Sequence, residues 1–413
     1  MGLVHKPRIN DYWSTNPVMG SSFAPSLTTR DRFKMILAFF HLANNTDYIP
    51  SGQPGHDPLF MVRILLDSLN ASFKRVYIPT EWIALDEAVV PWRGRVWFRV
   101  YIKNKPIKWG IKIYMICESL SGYVYHMEIF CKHPNLSNVT SVVVKRMLND
   151  AELNNEGRTI FMNNYYQCPN LAQDLLLEGT NSVGTSSFYR LGTPAELKVN
   201  AQAFTPGQMD YRRKGVLCVR WKDKRDLLIL TTVHQPVMQR VITREGEKVK
   251  PACNVEYSKG MKGVDHSDQM ISYAPLHRKT IKWWNQVAFH LVSLIMVNKH
   301  QKLHCRKTMQ FIPFCISVCT ALVEKATHQQ PAPATPPTPD RLQGKHFPEK
   351  IRNPAGKQMY RSCFVCLERM KRQGVPNAER KSNRKVTSDQ CNVCKIALCR
   401  DCFPVYHTQK NFV

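Results

Sequence analysis

A mixed α/β fold is predicted by three observations in the first 180 residues. Residues 82–130 contain three runs of apolar, β-branched and aromatic side chains, Trp82–Leu85, Gly110–Cys117 and Gly122–Phe130. Ser119-Leu120-Ser121-Gly122 supplies hairpin turn chemistry between the last two runs. The pattern then changes period: Thr140–Leu153 fits a helix, Thr159–Met162 a short buried strand, and Pro169–Leu177 the start of another helix. The order β-β-β-α-β-α is that of an RNase H-like core, a mixed sheet flanked by helices.

The flanking segments follow in order. Residues 1–80 read as a helical N-terminal region broken by Pro and Gly, suited to DNA binding or dimerisation. Within it a helix fits 27–43, with Phe33, Ile36, Leu37 and Phe40 on one face and Thr28 or Thr29 as cap. Met1 opens into what reads as mid-domain sequence, so an N-terminal part is expected to be missing. The core spans 81–184 and resumes over 258–327. Between them, 185–257 reads as a β-rich insertion with a hairpin of Val216–Trp221 and Leu227–Val233. The long helix Trp283–His300 of the second core segment carries Val287, Leu291, Leu294 and Ile295 on one face. Residues 328–358 form a linker whose proline-rich part, His328 to Pro339, favours extended polyproline II. Residues 359–413 are a small cysteine-rich zinc-binding domain.

Charge points to the partner. Lys and Arg number 58 against 31 Asp and Glu, a formal net charge of +27 over 413 residues. Such an excess calls for a polyanion, and nucleic acid fits better than an anionic membrane surface, because no lipidation motif or basic amphipathic helix stands out. The first residues lack the apolar core of a secretory signal. The longest apolar run, Val287 to Val297, is interrupted and too short to span a bilayer. No membrane association and no small-molecule substrate is expected. Eight of the 14 cysteines are scattered through the first 320 residues, which suits reduced thiols in the cytosol or nucleus. Of these, Cys117, Cys218 and Cys315 lie in apolar runs and read as core.

Two separated acidic segments, and a third position between them, carry the candidate chemistry. Two-metal phosphoryl transfer needs carboxylates that bridge ions about 4 Å apart, and Mg²⁺ prefers oxygen ligands. In an RNase H-like sheet these come from strand ends and a following helix. Asp86, at the end of Trp82–Leu85, fits the first ligand; Asp265 or Asp268, near a helix start, fits the third. The second place, after Thr159–Met162, holds Asn163. From spacing alone, ordinary turn and N-cap roles for Asp86 and Asp268 are the alternative. Mg²⁺ is possible at this degenerate set.

A basic block, Arg93, Arg95, Arg99, Lys103, Lys105, Lys108 and Lys112, interleaves with Trp92, Trp97, Tyr101 and Trp109. Cations for phosphates and aromatic faces for bases suit a DNA groove; the alternative is a solvated basic strand with its aromatics in the core. The segment His277–Trp284, with Arg278, Lys279, Lys282 and Trp283, is similar, its alternative being a helix start anchored by two tryptophans. In the tail, Cys363/Cys366, Cys391/Cys394 and Cys399/Cys402 are three Cys-x2-Cys pairs, and His407 follows. Such knuckles present thiolates to a tetrahedral Zn²⁺, and a module this small needs metal to fold. Two sites need eight ligands and seven are plain, so the pairing stays open. The runs Arg369–Arg372 and Arg380–Lys385 suit DNA contact, nuclear import or a solvated loop.

Four segments together resemble one family. Leu85-Asp86-Glu87 with Trp92-Arg93-Gly94-Arg95, the block Lys103 to Lys112, Met162-Asn163-Asn164-Tyr165-Tyr166, and Lys262 to Met270 are similar to the piggyBac transposases and to their transposable-element-derived cellular relatives. The resemblance runs from about residue 8 to the end. It implies catalytic carboxylates at Asp86, position 163 and Asp265, with Asp268 auxiliary, Mg²⁺-dependent cutting and joining at TTAA, Trp283 stacking near the cleaved end, a DNA-binding zinc tail, a homodimer and a nuclear location. The family pattern has Asp where this chain has Asn163. An amide brings no charge to a bridging site, so the expectation is a DNA-binding relative without catalysis. The alternatives are an active transposase that tolerates Asn163, and a nuclear interaction scaffold with a RING- or PHD-like module.

Overall fold

The computed structural model describes residues 3–16, 18–103, 105, 107–131, 137, 139–198, 204–243, 246–276, 280–304, 309–328, 340–342, 345–409 and 411–412. The chain divides into two compact units, Met1–Val323 and Glu324–Val413.

The first unit opens with three helices, α1 (Phe23–Leu27), α2 (Arg30–Phe39) and α3 (Phe60–Val76). Helix α2 is shorter than the predicted 27–43. The Thr29 side chain caps it by accepting from the Arg32 N–H, and Phe40 turns the chain into extended backbone. Phe33 packs on Trp13, and Phe40 stacks on Trp284 and Phe289, but Ile36 points to solvent.

The predicted order then appears as β1 (Trp82–Pro91), β2 (Val100–Tyr101), β3 (Trp109–Glu118), β4 (Val124–Ile129), α4 (Thr140–Asp150), β5 (Thr159–Met162), α5 (Pro169–Leu177) and β6 (Asn181–Ser186). Strand β3 is antiparallel to β1 and β4, β1 is parallel to β5, and β5 is parallel to β6. This is the RNase H-like arrangement. The hairpin turn before β4 uses Gly122 at φ +76°, in the left-handed region that favours glycine. Strand β6 was not anticipated, because Asn-Ser-Val-Gly-Thr-Ser lacks an apolar run. Its partners on both sides hold it in the sheet.

The insertion is not a separate layer. Strands β7 (Met209–Lys214), β8 (Val216–Lys222) and β9 (Asp226–Thr231) follow, and β9 pairs antiparallel with β6. The predicted hairpin, β8–β9, therefore extends the core sheet. Its order is β2-β3-β1-β5-β6-β9-β8-β7, with β4 also on β3. Strands β10 (Met238–Thr243) and β11 (Gly246–Pro251) form their own ribbon, followed by α6 (Ala252–Gly260), α7 (Gly263–Tyr273), α8 (Trp283–His304) and α9 (Phe311–His328).

The two faces of β1 bury different cores, as the period of two requires. Ala88 and Val90 face the cluster built with α3, α7 and α8, while Ile83 and Leu85 face that of α4 and α5. On α8 the buried stripe is Val287, Leu291, Leu294 and Val297; the predicted Ile295 lies off it. The free edge of β4 is closed by two side chains. Asn298 accepts from and donates to the Val124 backbone at 2.8 and 2.7 Å, and Asn70 does the same to Met127 at 3.0 and 2.9 Å. Cys117, Cys218 and Cys315 are buried, as expected. Among the described residues no helix is long and apolar enough to cross a membrane.

In the second unit, β12 (Pro348–Lys350) pairs with β15 (Asp389–Cys391), and β13 (Arg361–Ser362) with β14 (Val386–Thr387). Three short helices complete it, α10 (Phe364–Arg372), α11 (Asn377–Ser382) and α12 (Cys402–Thr408). Residues 345–358, read as linker in the sequence, thus contribute a strand to the tail.

Gly110 lies where β3 crosses β1, and a Cβ there would sit 2.2 Å from the Val90 carbonyl oxygen and 2.5 Å from Val89 Cγ1. Backbone cannot yield as a flexible side chain can, so Gly110→Ala is expected to cost about 2 kcal/mol or more. A urea midpoint lowered with unchanged slope is the expected outcome.

Candidate functional site

The acidic residues converge. Strand β1 pairs with β5 as far as Leu85–Met162, where β5 stops and β1 continues. Asp86 and Asn163 are the next residues on each chain. Asp86 is therefore within β1, not at its end as the sequence suggested, and it lies beside the open end of β5. Its side chain points to the same face as Ala84 and Ala88, toward α7. Glu87 points the other way and accepts from the Tyr166 hydroxyl at 2.9 Å. Helix α7 brings Asp265 in its first turn and Asp268 one turn later. Gly263 allows this approach, since a Cβ there would meet the Glu118 carbonyl oxygen at 2.9 Å.

Two contacts decide the chemistry of the cluster. The Asn163 amide nitrogen donates to Asp86 Oδ1 at 2.8 Å, and Asn163 Oδ1 accepts from the Tyr165 N–H at 2.8 Å. Lys105 Nζ lies 3.6 Å from Asp86 Oδ2 and 3.7 Å from Asp265 Oδ1. Both carboxylate oxygens of Asp86 thus face a donor. Asp265, Asp268 and Lys105 also line a cavity of about 430 Å³ with Val89, Ile107 and His290. Burial pushes the Asp86 carboxyl up to about 7, with Glu87 adding and Lys105 opposing. Burial does the same to Asp268, also to about 7. Burial pulls the Lys105 ammonium down, but the carboxylates, Asp86 first, outweigh it and leave it above its ordinary value. The set does not fit a bridging divalent ion: one corner presents an N–H donor, and an ammonium occupies the space between the other two. Asp174, the next acid along the chain, does not replace position 163: it pairs with Lys145 at 3.1 Å.

The predicted basic surface divides. Arg93, Arg95, Lys103 and Lys108 are exposed, as are the rings of Trp97, Tyr101 and Trp109. The Arg99 guanidinium lies over Trp109 at 4.7 Å, which presents ring and charge together. Lys105 differs from them: its ammonium is turned into the acidic cleft. Lys112 is buried under Tyr114 and Phe130, at 4.4 and 4.6 Å, and Trp92 is core. Trp283 is half-buried, edge-on to Phe98 at 5.2 Å, so it anchors the start of α8. Lys282 is exposed, and Arg278 and Lys279 lie outside the described residues.

The tail resolves the pairing that spacing left open. Cys363, Cys366, Cys399 and Cys402 form one quartet; His346, Cys391, Cys394 and His407 form the other. Cys366 Sγ is 3.6 Å from Cys402 Sγ and 4.0 Å from Cys399 Sγ. A tetrahedron with Zn–S bonds of about 2.3 Å has edges of about 3.8 Å, so the spacing suits that ion. In the second quartet His346 Nδ1 lies 3.3 Å from Cys391 Sγ, and His407 Nε2 lies 3.7 Å from Cys394 Sγ. The Phe403 carbonyl accepts from His407 Nδ1 at 2.9 Å, leaving Nε2 free to ligate. The donor sets fit a metal such as zinc. His346 is the missing eighth donor. It stands alone in sequence, before Phe347 and Pro348, and only the β12–β15 pairing brings it to the knuckles.

Comparisons with known proteins bear on the family and the fold. The family model described as Transposase IS4 matches residues 1–300. The human PiggyBac transposable element-derived protein 3 is 24% identical over 99% of this chain and 68% of its own length. The human PiggyBac transposable element-derived protein 2 is 24% identical over 73% of this chain. The chain spans about half, 52%, of that second relative. A cryo-EM structure of a piggyBac transposase synaptic complex with hairpin DNA matches with a TM-score of 0.67 at 21% identity, over 96% of this chain and 83% of that one. At that identity the match speaks for the fold.

Two outcomes test the sites. Metal analysis is expected to find two tightly held ions per chain, falling to one in His346→Ala, with chelation melting the tail alone. In the cleft, the folded state holds the Asp268 proton up to about pH 7, where the unfolded chain releases it near 3.8. Its contribution is therefore full below about pH 4 and is lost as pH rises through about 7. Asp268→Asn is expected to match the native melting temperature near pH 4 and exceed it above pH 7, as a thermal-melt pH series would show.

Proposed function

Because the chain belongs to the piggyBac transposase family, we propose that it is a transposase-derived, DNA-binding protein that neither cuts nor joins strands. The observation that carries this reading is the Asn163 amide, which donates to Asp86 where the family pattern would place a third carboxylate. A two-metal site needs anions that bridge the ions. Replacing one anion by a neutral donor removes charge and reverses hydrogen-bond polarity at the same corner. Orders of magnitude in rate are expected to go with it.

DNA binding rests on separate features. The net charge of +27 exceeds solubility needs, and Arg93, Arg95, Lys103 and Lys108 are exposed in the same stretch of chain as the exposed rings of Trp97, Tyr101 and Trp109. The solved structural neighbour is a synaptic complex with hairpin DNA. In this reading structural zinc fills both tail quartets, the basic faces of α10 and α11 add phosphate contacts, and the protein works in the nucleus, with a homodimer as the assembly.

Fluorescence anisotropy with a DNA hairpin is expected to show affinity falling steeply with salt. Arg93→Ala/Lys103→Ala/Lys108→Ala should lower the log–log slope by about 3, at about 0.9 per lost phosphate contact. A flat salt response would favour an interaction scaffold. A strand-cleavage assay on a TTAA-flanked end with Mg²⁺ or Mn²⁺ is expected to give no product from the native chain; turnover there would overturn the inactive reading.

A further inference from the structure

We propose that Lys105 serves as a built-in counter-ion of the acidic cleft, bridging Asp86 and Asp265 where a divalent ion would sit, so that the cleft is complete without metal. The inference rests on the family reading of this cleft, and is independent of whether the chain binds DNA. It begins with the orientation of Asn163. Its oxygen accepts from the Tyr165 N–H and its nitrogen donates to Asp86, both at 2.8 Å. Flipping the amide would set oxygen against carboxylate and N–H against N–H, so both contacts hold one orientation. A cation shared between Asp86 and position 163 would meet the NH₂ group, not an oxygen.

The second part is the place of Lys105. Its ammonium is nearly equidistant from Asp86 and Asp265, at 3.6 and 3.7 Å, on elements far apart in sequence. Its side chain is only 20% exposed, while that of Asp265 is 70% exposed. A solvated surface lysine would not be drawn inward in this way; desolvation is tolerated where carboxylates compensate it. The short turn that presents it is closed by the Ile102 N–H donating to the Lys108 carbonyl at 2.8 Å. The neighbouring Lys103 and Lys108, by contrast, are exposed. An incoming divalent ion would have to expel this ammonium and break the Asn163–Asp86 hydrogen bond. With Asn at 163 the cleft offers one anion fewer as recompense.

The test uses the full chain with its tail metals retained, Mn²⁺ as the probe, electron paramagnetic resonance to count bound ion, and thermal melts. The native chain and Asp265→Asn, a change at an exposed position, are expected to bind Mn²⁺ identically. Lys105→Gln is expected to melt lower in the absence of divalent ions, to recover on adding Mn²⁺, and to bind Mn²⁺ at least about tenfold more tightly than the native chain. Lys105→Arg, which keeps the charge, should behave like the native chain. A Mn²⁺ ion bound by the native chain and lost in Asp265→Asn would overturn the proposal, even if Lys105→Gln failed to fold. Unchanged melting and affinity in Lys105→Gln would overturn it equally. Neither readout involves DNA or strand cleavage, so the outcome stands apart from the functional reading above.

Discussion

The parallel pairing of β1 with β5 is the constraint on which the site depends. It ends at Leu85–Met162, and the unequal strand lengths leave Asp86 beside the first residue past β5. Every later property of the cleft follows from that register. A slip of one residue would turn Asp86 to the face of Leu85 and swing Glu87 toward α7 in its place. The register itself is held from both sides. Strand β3 pairs with β1 from Ile83 to Pro91, and β6 continues the sheet beyond β5.

On that frame the cleft balances charge by local means. Three carboxylates from β1 and α7 meet one ammonium from the loop before β3. The amide of Asn163 completes the hydrogen bonding of Asp86. Burial raises the carboxyls of Asp86 and Asp268 toward neutrality, so a proton shares the work with Lys105. The tail solves a different problem. A unit with a small apolar cluster around Val365, Leu398 and Tyr406 carries two interleaved donor quartets that fit a metal such as zinc. The interleaving makes each quartet tie together segments that the other does not, and His346 brings residues before the first knuckle into the same fold.

Much of this was legible in the chain itself. Thr159–Met162 and Pro169–Leu177 are observed with the predicted bounds, because an apolar β-branched run and a proline at a helix start are local signals. The two acidic segments and position 163 were identified as one site through their resemblance to a family. Strand β6 was missed because its residues are polar and small, and its state is set by neighbours on both sides. Trp92 and Lys112 were misplaced for a related reason: alternation along a strand gives two faces but not which one is covered. His346 had no local partner to mark it.

The sequence alone determined the fold class, the net charge, the three cysteine knuckles and the chemical identity of position 163, since these depend on composition, short-range period and residue type. Only the tertiary structure decided which way the Asn163 amide points, that Lys105 turns inward, and how the knuckles pair. Each of those is a contact between segments tens to more than a hundred residues apart, or is imposed by one, and no local pattern encodes such a distance.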